Sequence, residues 1–378
     1  MTPRERLLRA LAHQEPDRVP LDMGNSATSI HRKAYRRLKE HLGMDRVEPP
    51  IIDRMQQVVQ VDEAVLRRFS IDTRQLFLKP ARGWQGDPDG SYRDEWGIRY
   101  RPGADGNYFD MDAHPLADAT REDLDRFAWP DPDDPRRFEG LAQDAVELHD
   151  NSPYGVVLNG FSETLFGLPS WLRGHAQFYM DFLINADFLD ELLDRMLDYA
   201  LRLAARALAA VGTRVDVIKV ADDLGTETGL MISPALYRAF IKPRQAKFYA
   251  FLKEHSDAKI LLHSCGAIAE LIPDLIEIGI DAINPVQVSA RGMDSRELKK
   301  SFGDRISFWG GGCDTQHVLP FGTVDEVGEE VRRRTADFSP GGGFVFTPVH
   351  NIQFDIPPEK ITALYDAALL YGSYAAGR

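Results

Sequence analysis

A chain of 378 residues with 20 Phe, 12 Tyr and 5 Trp can bury a large apolar core, which excludes a disordered protein. Its 58 acidic residues against 45 basic ones give a formal net charge of −13, which excludes nucleic acid and anionic membrane surfaces as general partners. No apolar run approaches the roughly 20 residues that a bilayer-spanning helix needs.

The chain starts on a capping box, with Thr2 as cap, Pro3 at the first helical position and Glu5 closing it, rather than on a secretion signal. The expected address is the cytoplasm, where the two cysteines stay reduced. Strands follow at 19–24, 73–79, 155–160, 215–223, 259–265, 282–286, 306–311 and 343–350. Their near-continuous apolar character suits a parallel sheet buried on both faces. Helical spacing fills the gaps at 188–210, at 235–254 behind the cap Ser233-Pro234, and at 268–278, 295–302 and 324–338. Alternating strand and helix gives either a doubly wound sheet or a (β/α)8 TIM barrel, and eight strands favour the barrel.

The main irregularity lies between the second and third strands, where 80–150 forms an inserted loop and hairpin region. An Asp89-Gly90 turn flanked by Trp84, Tyr92, Arg93, Trp96, Arg99 and Tyr100 predicts a β-hairpin, a substrate lid or a dimer contact. The acidic, proline-rich stretch 129–135 reads as a solvated loop before another helix. With no internal repeat, the simplest organisation is one domain over 1–378.

In such a barrel the site lies at the carboxyl ends of the strands. The sequence places Asp22 and Asn25 at the first, Asn159 at the third and Asp222-Asp223 at the fourth. His263 and Cys265 close the fifth, Asn284 and Gln287 the sixth, Cys313 and Asp314 the seventh, and His350 and Asn351 the eighth, while Asp72 precedes the second. Buried charge or thiolate is costly unless paired or metal-bound, so this clustering points to chemistry. On a strand, residues i and i+2 share a face, so His263 and Cys265 can grip one ion, and soft sulfur plus imidazole suits zinc. Each residue also has a plain structural reading: a buried cysteine as a small hydrophobe, Asp222 or Asp223 as an Asx-turn, Asn284 and Gln287 as partners of backbone groups. The Gly310–Gly312 and Gly341–Gly343 runs match no phosphate-loop pattern and read as tight turns. There is no G-x-S-x-G elbow and no H-E-x-x-H pair.

Several segments together resemble the uroporphyrinogen decarboxylase superfamily over essentially the whole chain. They are Asp17-Arg18-Val19-Pro20, Val220-Ala221-Asp222-Asp223, Ile232-Ser233-Pro234-Ala235-Leu236-Tyr237, His263-Ser264-Cys265-Gly266, Asn284-Pro285-Val286-Gln287, Gly310-Gly311-Gly312-Cys313-Asp314, and the end from Gly341 through His350 to Pro357-Pro358-Glu359. The resemblance implies one (β/α)8 barrel, a homodimer, and a deep cleft at the strand ends.

That superfamily holds two chemistries. Its decarboxylases grip a polycarboxylate tetrapyrrole with arginines at the first strand end. Here that place reads Asp22-Met23-Gly24-Asn25-Ser26-Ala27-Thr28, and the next arginine is Arg32, although His350 matches the decarboxylases' late histidine. The other branch passes methyl groups to or from a corrinoid carried on a partner protein. It holds Zn2+ with a His-x-Cys pair and a second cysteine near the last strand. His263 and Cys265 match the pair; the second cysteine does not match in place, so Cys313, one strand earlier, stands in as substitute ligand, with Asp222 or His350 completing the shell.

The preferred reading is a zinc-dependent methyltransferase acting on a small molecule. Asp222, Asp223 and His350 are its candidate catalytic residues, and Asn25, Asn159, Asn284 and Gln287 its candidate substrate contacts. The alternative is a cofactor-free decarboxylase of a porphyrinogen or smaller acid, using Asp222 or Asp72 with His350. A third is a tetrapyrrole or corrinoid carrier without turnover.

Overall fold

The computed structural model describes residues 1–374. Thirteen strands occur among them: β1 (Ile51–Asp53), β2 (Val58–Val59), β3 (Thr73–Phe77), β4 (Gln85–Gly86), β5 (Tyr92–Arg93), β6 (Arg99–Pro102), β7 (Phe109–Ala113), β8 (Gly155–Ser162), β9 (Val217–Ala221), β10 (Lys259–His263), β11 (Ala282–Asn284), β12 (Ser307–Trp309) and β13 (Phe344–Val345). Seven form one parallel sheet in the order β13-β12-β11-β10-β9-β8-β3. The segment expected as the first strand closes the ring between its two edges. Leu21 bridges Phe346 in parallel, and the Asp22 and Asp72 N–H groups donate to the carbonyls of Phe346 (2.9 Å) and Leu21 (2.8 Å). It forms no longer ladder because Pro20 has no N–H and the Leu21 N–H is taken by the Asp72 carboxylate at 2.7 Å. The fold is a TIM-barrel-like α/β architecture.

The barrel interior is layered. Val157, Val217, Leu261, Ala282, Trp309 and Val345 form an apolar floor, plugged from below by Leu7 and Leu11 of the first helix, Pro3–Leu11. Burying such a side chain contributes roughly 1.5–3 kcal/mol. Because strand side chains alternate, the residues two positions on share the same inner face: Asn159, Lys219, His263 and Asn284. An apolar layer thus carries a polar one.

Outside the sheet, the predicted helices occur at Ala186–Val211, Lys242–His255, Ser295–Phe302 and Val324–Phe338. The helix expected from 235 opens with a short α-helical turn, Pro234–Leu236, and then a π-helical turn, Tyr237–Ile241, just before Pro243, which cannot supply the helical N–H. The predicted strand 306–311 is shortened at its glycines. Strand β12 stops at Trp309 because Gly310 and Gly311 take φ of 103° and 78°, in the left-handed half of backbone space.

The 80–150 region is more than a hairpin. Strands β4-β5-β6-β7 form an antiparallel sheet, with Tyr92 stacked on Tyr100 at 5.0 Å and the Arg54 guanidinium over Tyr92 at 4.3 Å. Trp84 and Trp96 beside this sheet, and Tyr100 within it, line the cleft at the barrel mouth. Among the described residues, no helix is long and apolar enough to cross a membrane.

Candidate active site

A cavity of about 390 Å³ opens at the carboxyl ends of the strands. A larger groove of about 600 Å³, around Trp129, Tyr199 and Arg202, lies on the outside of helix Ala186–Val211 and contains none of the strand-end residues. The strand-end cavity is the functional candidate because the polar layer opens into it: Asn159, Lys219 and His263 line it together with Glu163, Asp223 and His350.

At its wall, where His263 and His350 line it, one group has soft, convergent donors. A ligating atom from each of His263, Cys265 and His350 lies within 4.8 Å of the others. The thiol Sγ of Cys265 is 3.5 Å from His263 Nε2. Zinc–nitrogen and zinc–sulfur bonds of about 2.0 and 2.3 Å at a tetrahedral angle separate their ligand atoms by about 3.5 Å, so the pair already has the spacing of two zinc ligands. Burial holds His263 down to about 4 and lowers His350 as well, which keeps both imidazoles neutral, as metal binding requires. Burial, reinforced by Asp223 and Glu163, pushes the Cys265 thiol well up, so only a nearby cation would make it a thiolate. These residues fit a zinc ion.

The surroundings fix this group. Asn284 Nδ2 donates to the Trp309 carbonyl at 2.9 Å, so its Oδ1 must face His263 Nδ1, 2.7 Å away. His263 therefore carries its proton on Nδ1 and turns the Nε2 lone pair toward Cys265, the outer-shell arrangement of a ligating histidine. The Cys265 N–H donates to Asp223 Oδ1 at 2.8 Å, and the Gly266 N–H to Gln287 Oε1 at 2.8 Å. Gly266, at φ 89°, presses on Gly225 so closely that a Cβ would come within 2.4 Å of its carbonyl carbon. Asn284 and Gln287, expected as substrate contacts, thus position the ligand loop.

Other expectations are corrected. Cys313 is fully buried in the shell between barrel and helices, and burial with nearby Glu330 raises its thiol far above the ordinary range. Among the described residues it belongs to no metal-competent group; the third member is His350. Asp222 turns away from the cavity. Its Oδ1 accepts the N–H groups of Leu165, Phe166 and Gly167 (3.1, 2.7 and 3.3 Å) and its Oδ2 the Gln245 amide at 3.0 Å, while burial lifts it to about 6. It holds a turn, whereas Asp223 faces the cleft, 3.7 Å from His263 Nε2. Asp72 lies at the opposite end of the barrel, paired with Arg6 (2.6 Å) and Arg18 (2.7 Å). Asp22 accepts from Trp309 Nε1 at 2.9 Å inside the barrel. Asn25 receives the Ala27 N–H at 2.9 Å and lies behind the cavity wall, where its neighbours Ser26 and Ala27 stand. Asp314 receives the Gln316 N–H at 2.7 Å and pairs with His317 at 2.9 Å, a cap on the next turn. Asn351 holds Ser26 and Gln56 (2.9 and 2.6 Å).

Sequence reading missed Lys219, Glu163 and Asp53. A lysine inside the apolar run Val217–Ala221 was the signal for the first: it shares the inward parity of Val217. Glu163 follows directly after β8, whose end the sequence placed earlier, at 160.

A (β/α)8-barrel enzyme with a polar cleft at its strand ends is the class that this arrangement defines. The chain belongs to the uroporphyrinogen decarboxylase (URO-D) family, whose sequence pattern matches residues 109–370. It is 27% identical over 377 residues to a uroporphyrinogen decarboxylase of Alkalilimnicola ehrlichii, covering 96% of this chain and 93% of that one. It is 25% identical to that of Thioalkalivibrio sulfidiphilus, with 96% of both chains covered. Among solved structures, a methyltransferase from Methanosarcina mazei superposes with a TM-score of 0.68 at 19% identity over 98% of this chain and 99% of that one, a likeness of fold.

Proposed function

We propose that the protein is a zinc-dependent methyltransferase that moves a methyl group between a small substrate or thiol and a corrinoid carried on a partner protein. The observation that carries this reading is the convergence of His263, Cys265 and His350 at the mouth of the barrel, with Asn284 fixing the lone pair of His263. These three would hold the zinc, leaving a fourth position for an exogenous ligand, as catalytic zinc sites do. Bound zinc lowers the pKa of an acceptor thiol so that the nucleophile exists near neutral pH.

The chain's own residues do the rest. Asp223 braces the ligand loop through the Cys265 N–H and faces the cleft, where it can take the acceptor's proton. Trp84 and Trp96 line the cleft and give it apolar surface beside the reacting groups. In the transfer the acceptor sulfur would form the new bond to the methyl carbon as that carbon's bond to its donor breaks, the electron pair staying with the donor, and the thiol proton would leave through Asp223. The test is demethylation of methylcobalamin by a small thiol, followed by its absorbance. Turnover that stops on chelation and returns with zinc supports the reading; turnover indifferent to chelators, or none with zinc restored, overturns it.

One observation favours the second reading, metal-free decarboxylation. Glu163 is buried in the cleft, and burial together with Asp223 raises it well above the carboxylate range, which favours a proton-bearing form able to protonate a decarboxylated carbon. The segment 22–28, without arginine, argues against a uroporphyrinogen substrate. Carbon dioxide release that survives chelation would select this reading.

A further inference from the structure

We propose that the floor of this cleft is a carboxylate subsite built on Lys219, so that the substrate is a small organic acid with an apolar, aromatic-compatible body. The inference names the substrate class of the site above and rests on the cleft being the catalytic one.

Lys219 is 3% exposed, yet it lines the cavity. Its one hydrogen-bonding contact is Ser26 Oγ at 3.5 Å, and among the described residues no carboxylate lies within ion-pair distance of it. A buried ammonium without an ion pair is costly, and burial lowers its pKa against the opposing pull of Glu163, Asp53, Asp223 and Asp22, none of them in direct contact with it. A ligand carboxylate would supply the missing charge and accept from both the ammonium and the Ser26 hydroxyl.

The neighbouring wall is equally incomplete. Lys219 follows Ile218, which pairs with Leu158, and precedes Val220, which pairs with Phe161, so it stands opposite the bulge at Asn159-Gly160. Asn159 Nδ2 is committed to Gln75 Oε1 (3.0 Å) and to the carbonyls of Val157 and Leu76 (3.1 and 3.3 Å). That fixes the amide, and leaves the buried Oδ1 with no donor among the described residues, on a residue that lines the same cavity. An unfilled donor and an unfilled acceptor on adjacent strands fit a carboxylate with a hydroxyl or amino hydrogen beside it.

Of the cavity carboxylates, Asp53 and Glu163 repel such a ligand least, and Asp223 is engaged by the Cys265 N–H at 2.8 Å. Asp53 is bound by the Gln56 backbone and side-chain N–H groups (2.9 and 3.2 Å), and burial drives both Asp53 and Glu163 toward their proton-bearing forms. Phe77, Trp84, Trp96 and Trp171 supply apolar walls for the body of the acid. A volume of about 390 Å³ lies at the lower end of small-molecule sites.

Isothermal titration calorimetry with phenylacetate, its neutral amide phenylacetamide, and mandelate tests this. In the wild-type protein the acid should bind about tenfold or more tighter than the amide, and mandelate tighter than phenylacetate. Lys219→Met should erase the acid–amide difference while keeping the melting temperature within a few degrees or raising it. Equal binding of acid and amide to the wild type, binding of neither, or a difference that persists in Lys219→Met overturns the proposal. Repeating the titration on Cys265→Ser separates the two ideas: there the acid–amide difference persists even if the metal reading fails.

Discussion

The two cysteines leave their strands in similar company, one after an apolar run and a histidine, the other after an apolar run and three glycines, yet they end in different worlds. Cys265 keeps the strand's alternation past His263 and reaches the cleft, 3.5 Å from the imidazole. Cys313 starts from Trp309, whose side chain is in the inner floor, so unbroken alternation would have sent it inward too. The positive φ of Gly310 and Gly311 breaks that parity, and the thiol turns into the outer core. A functional position is thus set by backbone parity as much as by residue type.

The sharpest way to break this comparison is substitution. Cys265→Ser should remove zinc and lower methyl transfer by at least about 100-fold, since it deletes one of three protein ligands. Cys313→Ser should leave metal and turnover near wild type. Next in size, Asn284→Leu should weaken zinc about 10- to 100-fold, as removal of an outer-shell partner does, read by competition with a chelating dye. An unchanged affinity would deny Asn284 its orienting role.

Smaller effects concern the fold. Asp222→Ala strands four buried N–H donors and should cost at least about 1–3 kcal/mol in denaturant unfolding. Zinc should stay bound, whereas metal loss in the folded variant would return Asp222 to the site. Cys313→Ala should cost about 1 kcal/mol through a small cavity. Least of all, a thiol reagent should label the native, metal-free protein at Cys265 alone, and zinc should protect it; labelling of Cys313 before unfolding would show that the outer core opens.

Much of this was legible in the sequence. The eight staves, their order and the inserted region follow from apolar runs and turn residues, and the pairing of His263 with Cys265 follows from spacing. What failed did so for local reasons. The stave at 19–24 could not be known to lack a ladder until Asp72 was seen taking the Leu21 N–H. Cys313 was misplaced because a glycine run gives no sign of its φ. Asp222 and Asp223 are adjacent and chemically identical, and only the turn at 165–167 decides which of them faces inward. Lys219 was visible all along, a charge at an inward position of an otherwise apolar strand.

In the proposed site His263, Cys265 and His350, and not Cys313, hold zinc. Elemental mass spectrometry on the purified protein, beside Cys265→Ser and Cys313→Ala, tests it most directly. About one zinc per chain is expected in the wild type and in Cys313→Ala, and none in Cys265→Ser. Zinc retained by Cys265→Ser, lost from Cys313→Ala, or missing from the wild type after incubation with the metal would contradict it.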